Sequence, residues 1–322
     1  MALAAARLLD TCSPRRPRLV AHRCGAGEAP ENTIESVRYC LELKVPLLQL
    51  DVMHTKDHKV ILFHDVPLER NMEKLMGVTG QIHDFNYDEL PPFKQLLQPN
   101  AFCPEDAFPV AVKELKVSLF EDACRLLAGT GTQIILEFWQ ESEELILSVL
   151  ELLKRHQLLN QIAAWGSPEK ASIQAWCRRA APQIPVLITF AQAFRVWTCW
   201  NLCFPLCGLS LGRLLPFLVE GPIVFNVPHV TDLWHNAFCK AAKVDPHTRS
   251  VKSGLIWALL CFLRRWTDTP KLFEHLFGRY KVPTILFIAN TEVAIETCLS
   301  YKGVIAIQTD FPKKFYDVFN RD

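Results

Sequence analysis

The chain has 322 residues, half of them apolar, which is enough for one large core, and an α/β barrel of a single domain typically needs roughly 250 residues. Its 35 lysines and arginines almost cancel 34 aspartates and glutamates, which excludes a broad basic surface of the kind that holds a nucleic-acid backbone. Nucleic acid is therefore not expected as a partner.

Residues 1–16 hold an apolar stretch that Arg7 and Asp10 interrupt before it reaches signal-peptide length, with no basic region ahead of it. They read as a short extension with no cleaved secretory signal, leaving 17–322 as a barrel domain. From there, short β-rich runs alternate with segments long enough for a helix, the pattern of a parallel sheet with crossover helices. The runs are Leu19 to His22, Leu47 to Val52, Gln133 to Phe138, Gln161 to Trp165, Val186 to Phe190, Ile223 to Val227, Thr284 to Ile288 and Val304 to Gln308. Helical patterns cover Thr33 to Leu43, with Asn32 as its N-cap, then Leu119 to Leu127, Glu141 to His156, Pro168 to Ala180, Lys271 to Tyr280 and Glu292 to Ser300. Eight strands in this order predict an α/β fold, a (β/α)8 TIM barrel.

A ninth run, Lys59 to His64, follows Val52 too closely for a parallel crossover and is predicted to return as a hairpin arm. A turn centred on Asp57 and His58 would set Asp51 opposite His64, so that both reach one pocket. His54 and His58, beside that turn, are expected to be solvated. Residues 66–116 form an insertion after the hairpin, and 191–283 hold two long apolar connections. The most apolar stretches there are 194–219, broken by Pro205 and Arg213, and 254–263, half the roughly 20 residues of a membrane span. Trp197, Trp200, Trp234, Trp257 and Trp266 read as cover for the core.

The twelve cysteines include no CxxC pair, and Cys124, Cys239, Cys261 and Cys298 sit inside apolar runs as small hydrophobes, consistent with a reducing compartment. Cys199, Cys203 and Cys207 would share a helical face; apolar packing is preferred there over palmitoylation or metal capture. A cytoplasmic location is expected, with peripheral contact to internal membranes through the apolar connections.

Catalysis in such a barrel belongs to the C-terminal strand ends, which here carry His22, Arg23, Asp51, His64, Glu137, Thr309 and Asp310. Two histidines, an arginine and two carboxylates from separate strands suit phosphodiester hydrolysis: carboxylates hold a hard cation, arginine binds phosphate oxygens and histidines move protons. A lone strand-end histidine is more often a hydrogen-bonded core residue, so the weight lies in the set.

The stretch AHRCGAGEAPENTIES (21–36), followed by LLQLDVMHTKDHKVILFHD (47–65), resembles the signature of the glycerophosphodiester phosphodiesterase family. Further similarity follows in LERN (68–71), Gly80, DELPPFK (88–94), SLFEDACRLL (118–127), ILEF (135–138) and QTDFP (308–312). The resemblance implies an acid/base pair in His22 and His64, a phosphate ligand in Arg23, and a divalent cation, Mg²⁺ or Ca²⁺, on Gln49, Asp51 and Glu137. Within the family it points to the lysophospholipase D branch, hence to lysophospholipids or glycerophosphodiesters as substrates. Three positions depart from the pattern: Gln49 stands where the family has a metal-binding Glu, Trp139 where it has a Lys, and Cys24 where it has the first Gly after the arginine. These departures support a second reading, a catalytically weak barrel that binds phosphodiester lipids.

Overall fold

The computed structural model describes residues 17–64, 81–93, 96–97, 108–109, 115–203, 211, 215–218, 223–228 and 270–320. Its strands are β1 (Arg18–Ala21), β2 (Leu47–His54), β3 (Val60–Leu62), β4 (Leu96–Leu97), β5 (Phe108–Pro109), β6 (Gln133–Phe138), β7 (Ile162–Gly166), β8 (Val186–Leu187), β9 (Ile223–Pro228), β10 (Thr284–Phe287) and β11 (Val304–Thr309). The helices are α1 (Ile34–Glu42), α2 (Phe120–Leu127), α3 (Glu143–Arg155), α4 (Ala171–Ala180), α5 (Phe190–Thr198), α6 (Pro270–His275), α7 (Glu292–Leu299) and α8 (Pro312–Phe319). Strands β1, β2 and β6 to β11 run parallel in the order β1-β11-β10-β9-β8-β7-β6-β2, and pairing of β1 with β2 closes the barrel. The (β/α)8 expectation holds.

Local chemistry sets the helix starts. Thr33, not Asn32, caps α1: its hydroxyl accepts from Ser36 N while Ser36 Oγ accepts from Thr33 N, so two orphan donors are satisfied reciprocally. Ser142 caps α3, whose buried Leu145, Ile146, Val149, Leu150 and Leu153 form one apolar stripe against the barrel. The strand expected to reach Phe190 stops at Leu187, because Thr189 caps α5 and draws Phe190 into that helix's first turn. The expected helix to Tyr280 is α up to His275 and closes in a π turn, Leu276–Tyr280.

Two apolar layers hold the barrel. Val20, Leu47, Ile135, Leu187, Val224, Ile285 and Ala306 fill its interior, and a larger layer lies between strands and helices. Strand pleating then decides where polar groups go. Leu47 points inward, so Gln49 and Asp51 on the same strand do too; Glu137 follows Ile135, and Gln308 and Asp310 follow Ala306. The interior is apolar at the N-terminal end and polar at the C-terminal end.

The hairpin forms with its register one residue from the expected one. Val52 faces Leu62, Met53 faces Ile61 and His54 faces Val60, and Phe63 N donates to Asp51 O at 3.1 Å, so Phe63 and not His64 lies opposite Asp51. Thr55 fixes this register: its N–H donates to Lys59 O and its hydroxyl accepts from Lys59 N, while His58 takes a left-handed φ of 59°. A one-residue slip inverts the pleat, but β3 ends at Leu62, so His64 is outside the ladder and turns back to the pocket. His54 is buried and not solvated, because β2 runs two residues past Val52 and carries it under Gln140, whose side-chain oxygen accepts from His54 N. His58 is exposed beside Glu144.

Of the insertion, residues 81–93, the β4–β5 ribbon and 115–116 are described; Ile82, Phe93, Leu115 and Val117 pack on Met53, Ile61 and Phe63 beneath the hairpin. Trp197 is buried against Phe225, and Trp200 packs partly buried on the core, both as cover. Trp234, Trp257, Trp266, Cys207 and residues 1–16 and 254–263 lie outside the described residues. Cys199 packs on the core. Among the described residues, no helix is long and apolar enough to cross a membrane.

Candidate active site

The chain leaves β1 through three successive left-handed residues, Arg23 (φ 48°), Cys24 (59°) and Gly25 (84°). Only the glycine adopts that conformation without cost, so Arg23 and Cys24 hold local strain that the surroundings must impose. The clamps are visible. Gly25 N donates to His22 O at 2.8 Å and Gly27 N to Asp310 O at 2.9 Å, while Gly27 passes so close to Phe311 that a Cβ there would lie 2.5 Å from the ring. This loop aims His22 and Arg23 into the barrel mouth.

His22 Nδ1 lies 2.7 Å from Asp310 Oδ1, both buried. Asp310 Oδ2 accepts from Asn290 Nδ2 at 2.6 Å, and Asn290 Oδ1 accepts from Asp310 N and Thr309 Oγ1, which fixes the Asn290 amide. Burial pushes the Asp310 carboxyl up, but His22, Arg23 and the Asn290 hydrogen bond outweigh it and hold the group below its ordinary value. An ionised Asp310 accepts the Nδ1 proton of His22 and leaves Nε2 as the nitrogen able to exchange a proton with a reacting group.

The Arg23 guanidinium is divided among three partners. Nη1 donates to Glu31 Oε1 at 3.0 Å, Nη2 to His64 Nε2 at 2.8 Å, and Nε stands 3.8 Å from Asp51 Oδ2. Because a guanidinium only donates, His64 presents the Nε2 lone pair to it. The Trp139 indole covers the His64 ring at 4.2 Å between centroids.

Asp51 is the hub. Its Oδ1 accepts from Gln49 Nε2 and from Trp139 Nε1, each at 2.8 Å, and its Oδ2 accepts from Asn32 Nδ2 at 2.8 Å. Asn32, in a left-handed conformation, also takes the Asp51 N–H on its own Oδ1. Glu137 sits beside Asp51 on the neighbouring strand by register. Burial, then the Asp51 charge, push its carboxyl up to about 8 against an opposing pull from Arg23.

Two of the three expected cation ligands, Gln49 and Asp51, do not turn free oxygen lone pairs toward a shared cation in this arrangement. Gln49 Oε1 accepts the Arg23 N–H at 2.7 Å, which turns the amide N–H₂ and not the oxygen toward Asp51. A hard cation needs oxygen lone pairs, and Oδ1 already receives two N–H donors. Among the described residues, no group of three or more His, Cys, Asp and Glu side chains is arranged to hold a metal ion.

The structure joins Arg23, Gln49, Asp51 and His64 in one hydrogen-bonded network with Glu137 at its side by register, and His22, next to Arg23 in the chain, is held in a second one by Asp310. Reading the sequence by strand ends gave Asp310 no role and missed Glu31, Asn32 and Asn290. The signal for Glu31 and Asn32 was the PEN run itself, while Asn290 had none within its own strand and helix pattern. Two surface cavities, one beside Arg18 and Gln133 and one beside Glu274 and Gly303, lie away from these residues.

A family model described as the glycerophosphoryl diester phosphodiesterase family matches residues 22–202. The chain is 29% identical over 306 residues to mouse lysophospholipase D GDPD3, covering 93% of this chain and 82% of the relative. It is 26% identical over 299 residues to human lysophospholipase D GDPD1, covering 92% and 84%. Among solved structures, an Oleispira antarctica phosphodiesterase in complex with the product sn-glycerol-3-phosphate superposes with a TM-score of 0.58 at 17% identity, over 95% of this chain and 97% of that one. A glycerophosphodiester phosphodiesterase from Agrobacterium tumefaciens gives 0.56 at 15% identity, over 95% and 100%. With more than half of its length matched by that family model, the chain belongs to the glycerophosphoryl diester phosphodiesterase family, whose named relatives are phosphoric diester hydrolases.

Proposed function

We propose that this chain hydrolyses lysophospholipids, and glycerophosphodiesters more slowly, at the bond between phosphate and the head-group alcohol. The observation that carries the reading is the 2.7 Å contact of His22 with an ionised, buried Asp310, which orients one imidazole for proton transfer at the barrel mouth. In the proposed reaction, water or a free substrate hydroxyl beside the phosphate gives its proton to His22 Nε2 as its oxygen bonds to phosphorus. The bond to the leaving alcohol breaks, and that oxygen takes a proton from His64, whose Nε2 takes up a proton from solvent once Arg23 has turned away to the substrate. Arg23, swung from His64 and Glu31, meets the phosphate oxygens.

The family is generally dependent on a divalent metal, and Mg²⁺ or Ca²⁺ was the expectation here. The donors around Asp51 do not fit one, and no step above uses it. Support for an acylated substrate comes from the names of the relatives and from exposed Phe190 and Phe194 on α5, with Leu202 just beyond it. This apolar face follows β8 at the mouth end of the barrel and suits an acyl chain or a peripheral, cytoplasmic membrane contact.

The second reading, a weakly catalytic barrel that binds phosphodiester lipids, draws on the engagement of Arg23 with Glu31 and His64, which a substrate must displace. Choline release from lysophosphatidylcholine and from glycerophosphocholine separates the two. Faster release from the acylated substrate, abolished by His22→Ala, is expected. Lipid binding without release from either substrate would establish the second reading.

A further inference from the structure

The pocket contains three side-chain amides and indoles whose orientations are fixed independently of any ligand. Arg23 N can only donate, so Gln49 Oε1 must face it, and Gln49 Nε2 must then face Asp51. Asp51 N likewise fixes Asn32, whose Oδ1 accepts from it, so that Asn32 Nδ2 meets Asp51 Oδ2. The indole N–H of Trp139 has no acceptor capacity at all. A carboxylate offers about four lone-pair directions; here three receive N–H groups at 2.8 Å and the Arg23 Nε lies 3.8 Å from the same Oδ2. Asp51 is fully buried, and each of these donors belongs to the protein.

We propose that this pocket works without a resident divalent cation: the indole of Trp139 and the amide of Gln49 close Asp51 Oδ1, and Asp51 acts as the anchor that positions Arg23, Asn32 and Trp139. A cation at Asp51 would have to break two hydrogen bonds and push the indole off the His64 ring that it covers at 4.2 Å. Gln49 gives nothing in return at Asp51, because its oxygen faces the backbone N–H of Arg23 and its N–H₂ faces Asp51. Charge count is one of the terms that tune hard-cation affinity, and an amide contributes none. Trp139 and Gln49 therefore act as a pair, each removing one lone pair of the same oxygen. The inference rests on the phosphodiesterase reading of this pocket, but its primary test is metal binding and needs no turnover.

The test is calorimetric titration of the full chain with MgCl₂ and with CaCl₂, paired with thermal melts at matched ionic strength. The wild type is expected to give no saturable heat and no metal-specific rise in Tm up to about 10 mM, beyond the weakest natural calcium modules. Gln49→Glu keeps an oxygen for the Arg23 N–H while removing the donor to Asp51, and Trp139→Phe keeps the ring over His64 while removing its N–H. The double variant Gln49→Glu with Trp139→Phe is expected to gain a one-to-one site at least about tenfold tighter than any in the wild type. A one-to-one isotherm in the wild type that Asp51→Asn abolishes overturns the proposal, and Glu137→Gln replaces Asp51→Asn if that variant does not fold. A folded double variant that still binds no metal overturns the role of Gln49 and Trp139. Choline release from lysophosphatidylcholine should agree within about twofold in EDTA and in Mg²⁺, since nothing in the proton transfers requires the ion; a strict Mg²⁺ requirement overturns the proposal. Absence of release in both, with no metal bound by the wild type and metal bound by the double variant, removes the phosphodiesterase reading and leaves the cation-free pocket standing.

Discussion

Asp310→Asn removes one charge and almost no volume, and the structure dictates how the new amide must lie. Asn290 Oδ1 is held by Asp310 N and Thr309 Oγ1, so Asn290 Nδ2 always points at the position of Asp310 Oδ2, 2.6 Å away. An asparagine at 310 must turn its oxygen to that donor and its N–H₂ to His22 Nδ1. His22 then accepts on Nδ1 and carries its proton on Nε2, the tautomer that cannot take a proton from a nucleophile. The general-base contribution is lost, about 10²- to 10⁴-fold in kcat, with KM changed little because Arg23 keeps its partners. Replacing a charged hydrogen bond by a neutral one costs stability too, about 1–2 kcal/mol, which a thermal melt reads separately. The assay is choline release from lysophosphatidylcholine across pH. A folded Asp310→Asn with kcat within about threefold of wild type would refute the assignment of His22 as base.

Asn32→Ala removes both hydrogen bonds to Asp51 and leaves alanine at a φ of 54°, so it should cost about 2–4 kcal/mol in a denaturant titration; Asn32→Gly, free of the backbone penalty, should cost less, and equal losses would show that the conformation contributes nothing. Glu137 holds its proton more tightly when folded, at about 8 against an ordinary 4.5, so between those values the folded state carries the extra proton and stability falls as pH rises. The groups that set this are its burial, Asp51 and Arg23. The slope should approach about 1.4 kcal/mol per pH unit in that window and flatten in Glu137→Gln, and an unchanged slope in the variant would assign the dependence elsewhere. Gly27→Ala places a Cβ 2.5 Å from the Phe311 ring, beside the Gly27–Asp310 hydrogen bond, and should cost about 1–3 kcal/mol together with a drop in kcat; wild-type values of both would mean that the loop gives way freely.

Much of the barrel is legible locally. The run Gln133 to Phe138 became β6 with both ends as expected, because a short apolar, β-branched run is a property of neighbours in sequence. The hairpin was legible for a similar reason, since five residues between the ends of β2 and β3 leave no room for a crossover. Its register was not, because the side chain of Thr55, through its bonds to Lys59, decided which residues pair. The strand-end rule found His22, Arg23, Asp51, His64 and Glu137; the pleat of β2 and β6 places Asp51 and Glu137, while His22, Arg23 and His64 lie just past their strands.

The partnerships were beyond that reach. His22 and Asp310 are 288 residues apart and meet only because β1 pairs with β11 when the barrel closes. Trp139 reaches Asp51 across 88 residues through the parallel pairing of β2 with β6, and Asn32 reaches it from the loop ahead of α1. Read along the sequence, Gln49 is an amide that could offer a cation its oxygen. In the fold, the backbone N–H of Arg23 takes that oxygen first and leaves only the donor for Asp51. Local periodicity was enough to bring His22, Arg23, Asp51, His64 and Glu137 to the mouth of the barrel; barrel closure decided which hydrogen bonds they make, and thereby that both lone-pair directions of Asp51 Oδ1 are filled.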